Sequence, residues 1–154
     1  MRFMTGETIF LDSSVFIAFF VNGIDPFRNL ENCRLVTAIN VIEEVAYVLV
    51  KECARVETNI EKHYDLLHFL RNNPELVSKI SREVISDISA VLDAFNVFVF
   101  PPASFSEMFE VMLSYGLLPN DALIAATCKH YGIKKIATFD EDFKRIDFLE
   151  VVEI

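Results

Sequence analysis

Two short apolar runs in this chain end abruptly in acid. Ile9-Phe10-Leu11 leads straight into Asp12-Ser13-Ser14, and in Lys134–Phe143 the apolar residues Ile136, Ala137 and Phe139 give way to Asp140 and Asp142. Continuous apolar runs bounded by polar residues read as buried parallel strands. In open α/β sheets the ligand groove lies outside the carboxyl ends of such strands. If these two strands are neighbours, Asp12 and Asp140 share that groove.

The pattern between them alternates strands with helices. Arg34–Thr37 and Asn96–Phe100 read as further strands, the latter stopped by Pro101-Pro102, and Ile136–Phe139 and Glu150–Ile154 complete the set. Val15–Phe20 begins a short helix or turn, with Ser13 or Ser14 as its cap. Asn22-Gly23 and Asp25-Pro26 mark a loop. A helix starts at about Asn40, with Asn40 and Glu43 at capping-box spacing and Val41, Val45, Val48 and Leu49 as its apolar stripe. At about 100° per residue, Glu43 projects away from the stripe while Glu44 stands at its margin, so Glu44 is the acid aimed toward the sheet.

Thr58–Leu70 reads as a helix with Thr58 and Glu61 as capping box and Ile60, Tyr64, Leu67 and Leu70 as stripe. Asn72-Asn73-Pro74 breaks it, and a long helix runs on to about Phe95 with Val77, Ile80, Val84, Ile88, Val91 and Leu92 inward. These two form an inserted helical hairpin. Ser104-x-x-Glu107 opens a helix expected to turn Phe105, Met108, Phe109 and Met112 inward before Gly116. Pro119-Asn120-Asp121 opens another that runs to Gly132. The expectation is an α/β fold, an α/β/α sandwich around a central, mainly parallel sheet of four to five strands.

Composition narrows the class. With 154 residues, 53% of them hydrophobic, the chain suits one domain over 1–154 with a real core. Fifteen phenylalanines and no tryptophan suggest a core of rings and aliphatics. No apolar run is long enough to span a bilayer. Thr5-Gly6-Glu7 follows Arg2 before any leader core forms, so a cytoplasmic protein with no membrane partner is expected. Cys33, Cys53 and Cys128 form no CxxC pair and read as reduced, partly buried thiols; His63, His68 and His130 show no zinc-binding spacing. A net charge of −9 argues against gripping nucleic acid through a broad basic face. It is compatible with an acidic pocket that holds cations, or with a basic partner.

Five carboxylates fall at element boundaries: Asp12, Glu44, Asp121, Asp140 and Asp142. Singly, each has a structural explanation as a cap, a turn residue or a first-turn helix acid. Together they converge on one sheet edge, where mutual repulsion calls for a cation. Oxygen ligands without thiolate or imidazole suit Mg²⁺ or Mn²⁺, ions that polarise a phosphoryl oxygen and activate water for phosphodiester hydrolysis. The hydroxyls of Ser14 and Thr138 could orient a ligand or a water. No P-loop, Gly-x-Ser-x-Gly elbow or Gly-x-Gly-x-x-Gly is present.

Four segments in order, Leu11-Asp12-Ser13-Ser14, Glu44-Val45 with Leu49, Asn120-Asp121-Ala122-Leu123-Ile124-Ala125-Ala126, and Thr138-Phe139-Asp140-Glu141-Asp142-Phe143, resemble those of the PIN-domain family, across nearly the whole chain. Size and element order are similar to its VapC-type toxins. The resemblance implies a PIN-like fold and a Mg²⁺- or Mn²⁺-dependent endoribonuclease with catalytic acids Asp12, Glu44, Asp121 and Asp140 and an accessory fifth, Asp142. It also implies an RNA substrate, a homodimer and an antitoxin whose peptide enters the acidic groove. Two features depart from the family: Asn120 stands where a basic residue often precedes the third acid, and basic residues are sparse. Lys129, Lys134, Lys135, Lys144 and Arg145 cluster late in the chain, either as phosphate contacts or as a solvated face. Two rival readings are a non-catalytic module that binds a basic peptide and a housekeeping PIN nuclease of RNA processing.

Overall fold

The computed structural model describes residues 6–154. Arg2 and Thr5, part of the expectation about a leader, lie outside the described residues. Among the described residues, five strands form one sheet: β1 (Thr8–Leu11), β2 (Arg34–Ala38), β3 (Phe98–Phe100), β4 (Lys135–Ala137) and β5 (Glu150–Val152), in the order β3-β2-β1-β4-β5 with every neighbouring pair parallel. The same residues form the α-helices α1 (Ser13–Phe20), α2 (Ile39–Thr58), α3 (His63–Arg71), α4 (Pro74–Ala94), α5 (Phe105–Tyr115) and α6 (Pro119–His130), with 3-10 turns at Pro26–Leu30 and Glu141–Arg145.

Strand order fixes the layers. From β1 the chain steps outward to β2 and β3 through α1 to α4, then returns across the sheet to β4 through α5 and α6. Right-handed crossovers running in opposite directions place their helices on opposite faces, which gives the α/β/α sandwich. The direction reverses between β1 and β4, and such a switch point opens a groove at the strands' carboxyl ends. The expected adjacency holds: Ile9, Phe10 and Leu11 pair with Lys135, Ile136 and Ala137.

Burial on both faces explains the unbroken apolar runs. Phe10, Leu11, Val36 and Ile136 are fully buried, as are Phe16, Phe27 and Phe143 from the flanking segments. Phe27 stacks on Phe95 at 4.1 Å between ring centroids, and Phe16 meets Phe27 edge-on at 6.1 Å. Gly6 is required by a close approach, since a Cβ there would lie 1.7 Å from the Asn32 carbonyl oxygen. Among the described residues no single helix is long and apolar enough to cross a membrane.

Several local expectations need correction. Thr58 ends α2 rather than capping α3: its hydroxyl donates to the Ala54 carbonyl (2.7 Å), and Asn59 closes the helix in the left-handed region at φ 57°. Tyr64 is exposed, and Leu66 takes the buried position with Leu70. Neither Ser13 nor Ser14 caps α1, whose N-cap position is Asp12, without a side-chain capping bond. Asn40 lies inside α2 and caps nothing. On α5 the Ser104–Glu107 capping box forms, but Phe105 and Phe109 face outward, at 70% and 51% exposure, and Val111 fills the core position. Strand four ends at Ala137, which frees Thr138 for the site.

Candidate functional site

The carboxyl ends of β1 and β4 hold the first part of the site. The Asp12 amide donates to the Ala137 carbonyl (3.1 Å), extending the β1–β4 ladder by one bond. Thr37 donates its buried hydroxyl to the Leu11 carbonyl (2.8 Å), tying β2 to the same edge. Asp12 is 4% exposed, and its side chain is occupied by hydroxyls instead of capping α1. Oδ2 accepts from Ser14 (2.9 Å) and from Thr138 (2.7 Å), and Oδ1 from Ser13 at 3.4 Å. A buried carboxylate is tolerable only with such donors. Thr138 and Ser14 also order the β4 exit, accepting from the amides of Asp140 (2.9 Å) and Phe139 (3.0 Å).

Asp140 stands at the N-cap of the following 3-10 turn, its Oδ1 accepting from the Asp142 amide at 2.9 Å. The structural reading of this acid as a cap and its place at the groove are therefore compatible. Asp121 enters from the first turn of α6, at the same edge. One carboxylate oxygen each of Asp121, Asp140 and Asp142 lie within 4.8 Å of one another. Asp142 is exposed and also pairs with Arg145 at 2.9 Å.

Glu44 approaches from α2 and Glu43 faces solvent. Glu44 lies outside the close trio, but its Oε2 accepts from Asn120 Nδ2 (2.8 Å), the residue before Asp121. Asn120 Oδ1 in turn accepts from Asn40 Nδ2 (3.0 Å). Sequence reasoning missed this part of the site. The available signal was the i, i+4 spacing of Asn40 and Glu44, which puts both on one helix face.

Electrostatics bind the five acids into one group. Burial, and then the charges of Asp140, Asp12, Glu44 and Asp142, push Asp121 up from 3.8 to about 6. Such an arrangement suits a hard cation: the close donors are all carboxylate oxygens, and the Cys128 thiol is buried and raised first by that burial. The late basic cluster is largely spent on its own acids. Lys135 pairs with Glu7 (2.7 Å), Lys144 with Glu141 (2.6 Å), and Arg145 with Asp142. Lys129 lies over the Phe148 ring, 5.5 Å from its centroid.

Two further surfaces stand apart from this groove. Phe105, Phe109 and Leu113 line an exposed apolar stripe on α5, with Leu118 beside them in sequence. Between α1, α2 and α4, a groove of about 430 Å³ has an apolar floor that includes Phe20, Leu49 and Val84, and its rim carries Glu52, Glu57, Glu83 and Asp87.

A family model described as the PIN domain matches residues 9–149. Ribonuclease VapC2 of Methanocaldococcus jannaschii is 36% identical over 161 aligned positions, covering 98% of this chain and 97% of that protein. Ribonuclease VapC6 of the same organism is 32% identical over 160 positions, covering 97% and 99%. The crystal structure of PAE2754 from Pyrobaculum aerophilum superposes with a TM-score of 0.56 at 19% identity, over 95% of this chain and 89% of that one. VapBC2 from Rickettsia felis, solved bound to a DNA fragment from its promoter, gives 0.62 at 16% identity, over 94% and 97%. At those identities the two structures establish likeness of fold.

Proposed function

This chain belongs to the PIN-domain family, and on that premise we propose that it is a Mg²⁺- or Mn²⁺-dependent endoribonuclease, the toxin of a toxin–antitoxin pair, acting in the cytoplasm. The observation that carries the reading is geometric: one carboxylate oxygen each of Asp121, Asp140 and Asp142 lie within 4.8 Å of one another at the sheet edge where Asp12 ends β1, and burial together with the neighbouring acids opposes the ionisation of Asp121. Two relatives at 32–36% identity that bear the name ribonuclease supply the reaction class.

In this reading Asp12, Glu44, Asp121 and Asp140 hold the ion, with Asp142 as a fifth ligand directly or through water. The bound ion supplies a Lewis acid that polarises a phosphoryl oxygen and makes water more acidic. The protein's own part is preorganisation. Ser14 and Thr138 fix the Asp12 rotamer through Oδ2, and the Asp142 amide fixes Asp140 through Oδ1. Burial and the neighbouring acids hold Asp121 up at about 6, so near that pH uptake of the ion is linked to release of its proton. With Lys135, Lys144 and Arg145 already paired, RNA phosphates are drawn mainly by the cation and only secondarily by residues such as Lys134.

The partners follow from surface chemistry. The α5 stripe is the homodimer face, since exposed rings and leucines at i, i+4 and i+8 need a covering surface. The antitoxin is a basic, amphipathic chain, matched to a net charge of −9, to the acidic groove and to the acid-rimmed apolar groove beside α4. The test is cleavage of total RNA. Wild type should cut with Mn²⁺ or Mg²⁺ and stop with EDTA, and Asp12→Asn should lose at least about a hundredfold in rate. Equal cleavage by wild type and Asp12→Asn would contradict the assignment.

A further inference from the structure

Asn40 and Asn120 are 80 residues apart in sequence and meet beside Glu44. We propose that they form a one-way amide relay that positions Glu44 for the divalent ion, a role that rests on the metal-nuclease reading above. A carboxylate can only accept, so Asn120 must turn its NH₂ group to Glu44 Oε2. Its carbonyl then faces Asn40, which must donate through Nδ2. The orientation is thus set from Glu44 outward, and Asn40 prevents Asn120 from flipping its oxygen onto the carboxylate.

The cost of this arrangement is visible. Asn40 Oδ1 is buried and has no hydrogen-bond partner among the described residues. An orphaned buried acceptor destabilises a fold, and an alanine at position 40 would remove this one while leaving Asn120 Oδ1 without its donor. A side chain that leaves one buried acceptor unmet while its bonded group is directed at a candidate ligand's holder is placed for the site.

The relay also suits its place electrostatically. Asn120 grips Glu44 without adding a positive charge that would compete with a cation. It occupies Oε2 and leaves Oε1 for the ion. Because Asn120 directly precedes Asp121, the same bond clamps α2 to the first turn of α6 and fixes the spacing of two candidate ligands.

The experiment is calorimetric titration of the full chain with MnCl₂ near neutral pH, paired with Tm measured in EDTA. Asn120→Ala should weaken Mn²⁺ binding by about tenfold or more, the lower end for outer-shell partners. Asn40→Ala, one bond further out, should weaken it by roughly threefold or more, while its Tm in EDTA stays level, since the orphaned Asn40 Oδ1 is exchanged for an Asn120 Oδ1 that has lost its donor. In a Glu44→Gln background, Asn40→Ala should have no further effect on affinity. A purely structural pair would behave oppositely, with lower Tm and unchanged affinity. The relay is overturned if both amide variants bind Mn²⁺ as wild type does, or if Asn40→Ala acts equally with and without Glu44. Should Asn40→Ala not fold, Asn120→Ala carries the same decision. If wild type itself takes up no Mn²⁺, the metal-nuclease reading falls and the relay with it. If wild type binds, Asp12→Asn abolishes binding and the amide variants change nothing, only the relay falls.

Discussion

Replacing Asp121 by asparagine should make the metal-free protein more stable near neutral pH, although it removes a central side chain of the groove. Burial and four neighbouring carboxylates raise Asp121 from 3.8 to about 6, so the folded chain keeps this proton where the unfolded chain has released it. Between about pH 4 and 6 the folded state binds more protons, and stability therefore falls as pH rises through that window; the deficit is complete above it. A shift of roughly two pH units sets a ceiling of about 3 kcal/mol at about 1.4 kcal/mol per unit. The carboxylate is half-exposed, and solvent screening brings the expected gain to the order of 1 kcal/mol. Asparagine matches the shape without the charge. Urea unfolding in EDTA at several pH values is the assay. The variant should match wild type below about pH 4, gain through the window and hold a constant advantage above about pH 6. Saturating Mn²⁺ should reverse the order, because an ion that binds only the folded wild type adds about 2.7 kcal/mol at a hundred times its Kd. A variant less stable than wild type at neutral pH in EDTA, or a gain independent of pH, would refute the reasoning.

Other perturbations probe different parts of the account. Thr138→Val keeps the shape but removes the 2.7 Å bond to Asp12 and the acceptor for the Asp140 amide. It should destabilise the metal-free protein by about 1–3 kcal/mol in the same urea experiment, the opposite sign to Asp121→Asn. Leu113→Asp, at a position 89% exposed, should leave the far-UV circular dichroism of wild type unchanged yet shift sedimentation from dimer to monomer, and an unchanged sedimentation coefficient would count against the α5 face. Iodoacetamide should leave native Cys128 unmodified, since burial first and then Asp12 raise its thiol. Cys53, raised by burial and by Glu83, Asp87, Glu52 and Glu57, should react slowly at low salt and faster as salt screens those acids.

What could be read from sequence was whatever rests on short-range patterning. The β1 and β4 runs are apolar because both sheet faces are covered, so their ends, and the acids beyond them, were visible without coordinates. Glu44 was distinguished from Glu43 by helical geometry alone, and its side chain does turn inward to Asn120. The failures share a cause. Helix α5 carries two apolar stripes, Phe105-Phe109-Leu113 and Met108-Val111-Met112, and periodicity does not say which faces the core. Thr58 fits a helix start as well as a helix end, and only the left-handed Asn59 decides. Asn40 has the local spacing of a cap, but its partner is 80 residues away. The basic cluster offered both a phosphate-binding and a solvated reading, and ion pairs with Glu7, Glu141 and Asp142 favour the second for most of it.

Everything proposed for the groove requires that the carboxylates at the β1–β4 switch point take up a divalent ion. Crystals soaked in MnCl₂ and measured at the manganese absorption edge test this most directly. Wild-type crystals should show an anomalous peak between the Asp121 and Asp140 carboxylates that is absent from Asp12→Asn crystals. Manganese found only on other surfaces, or a groove that stays empty in wild type at saturating metal, would contradict it.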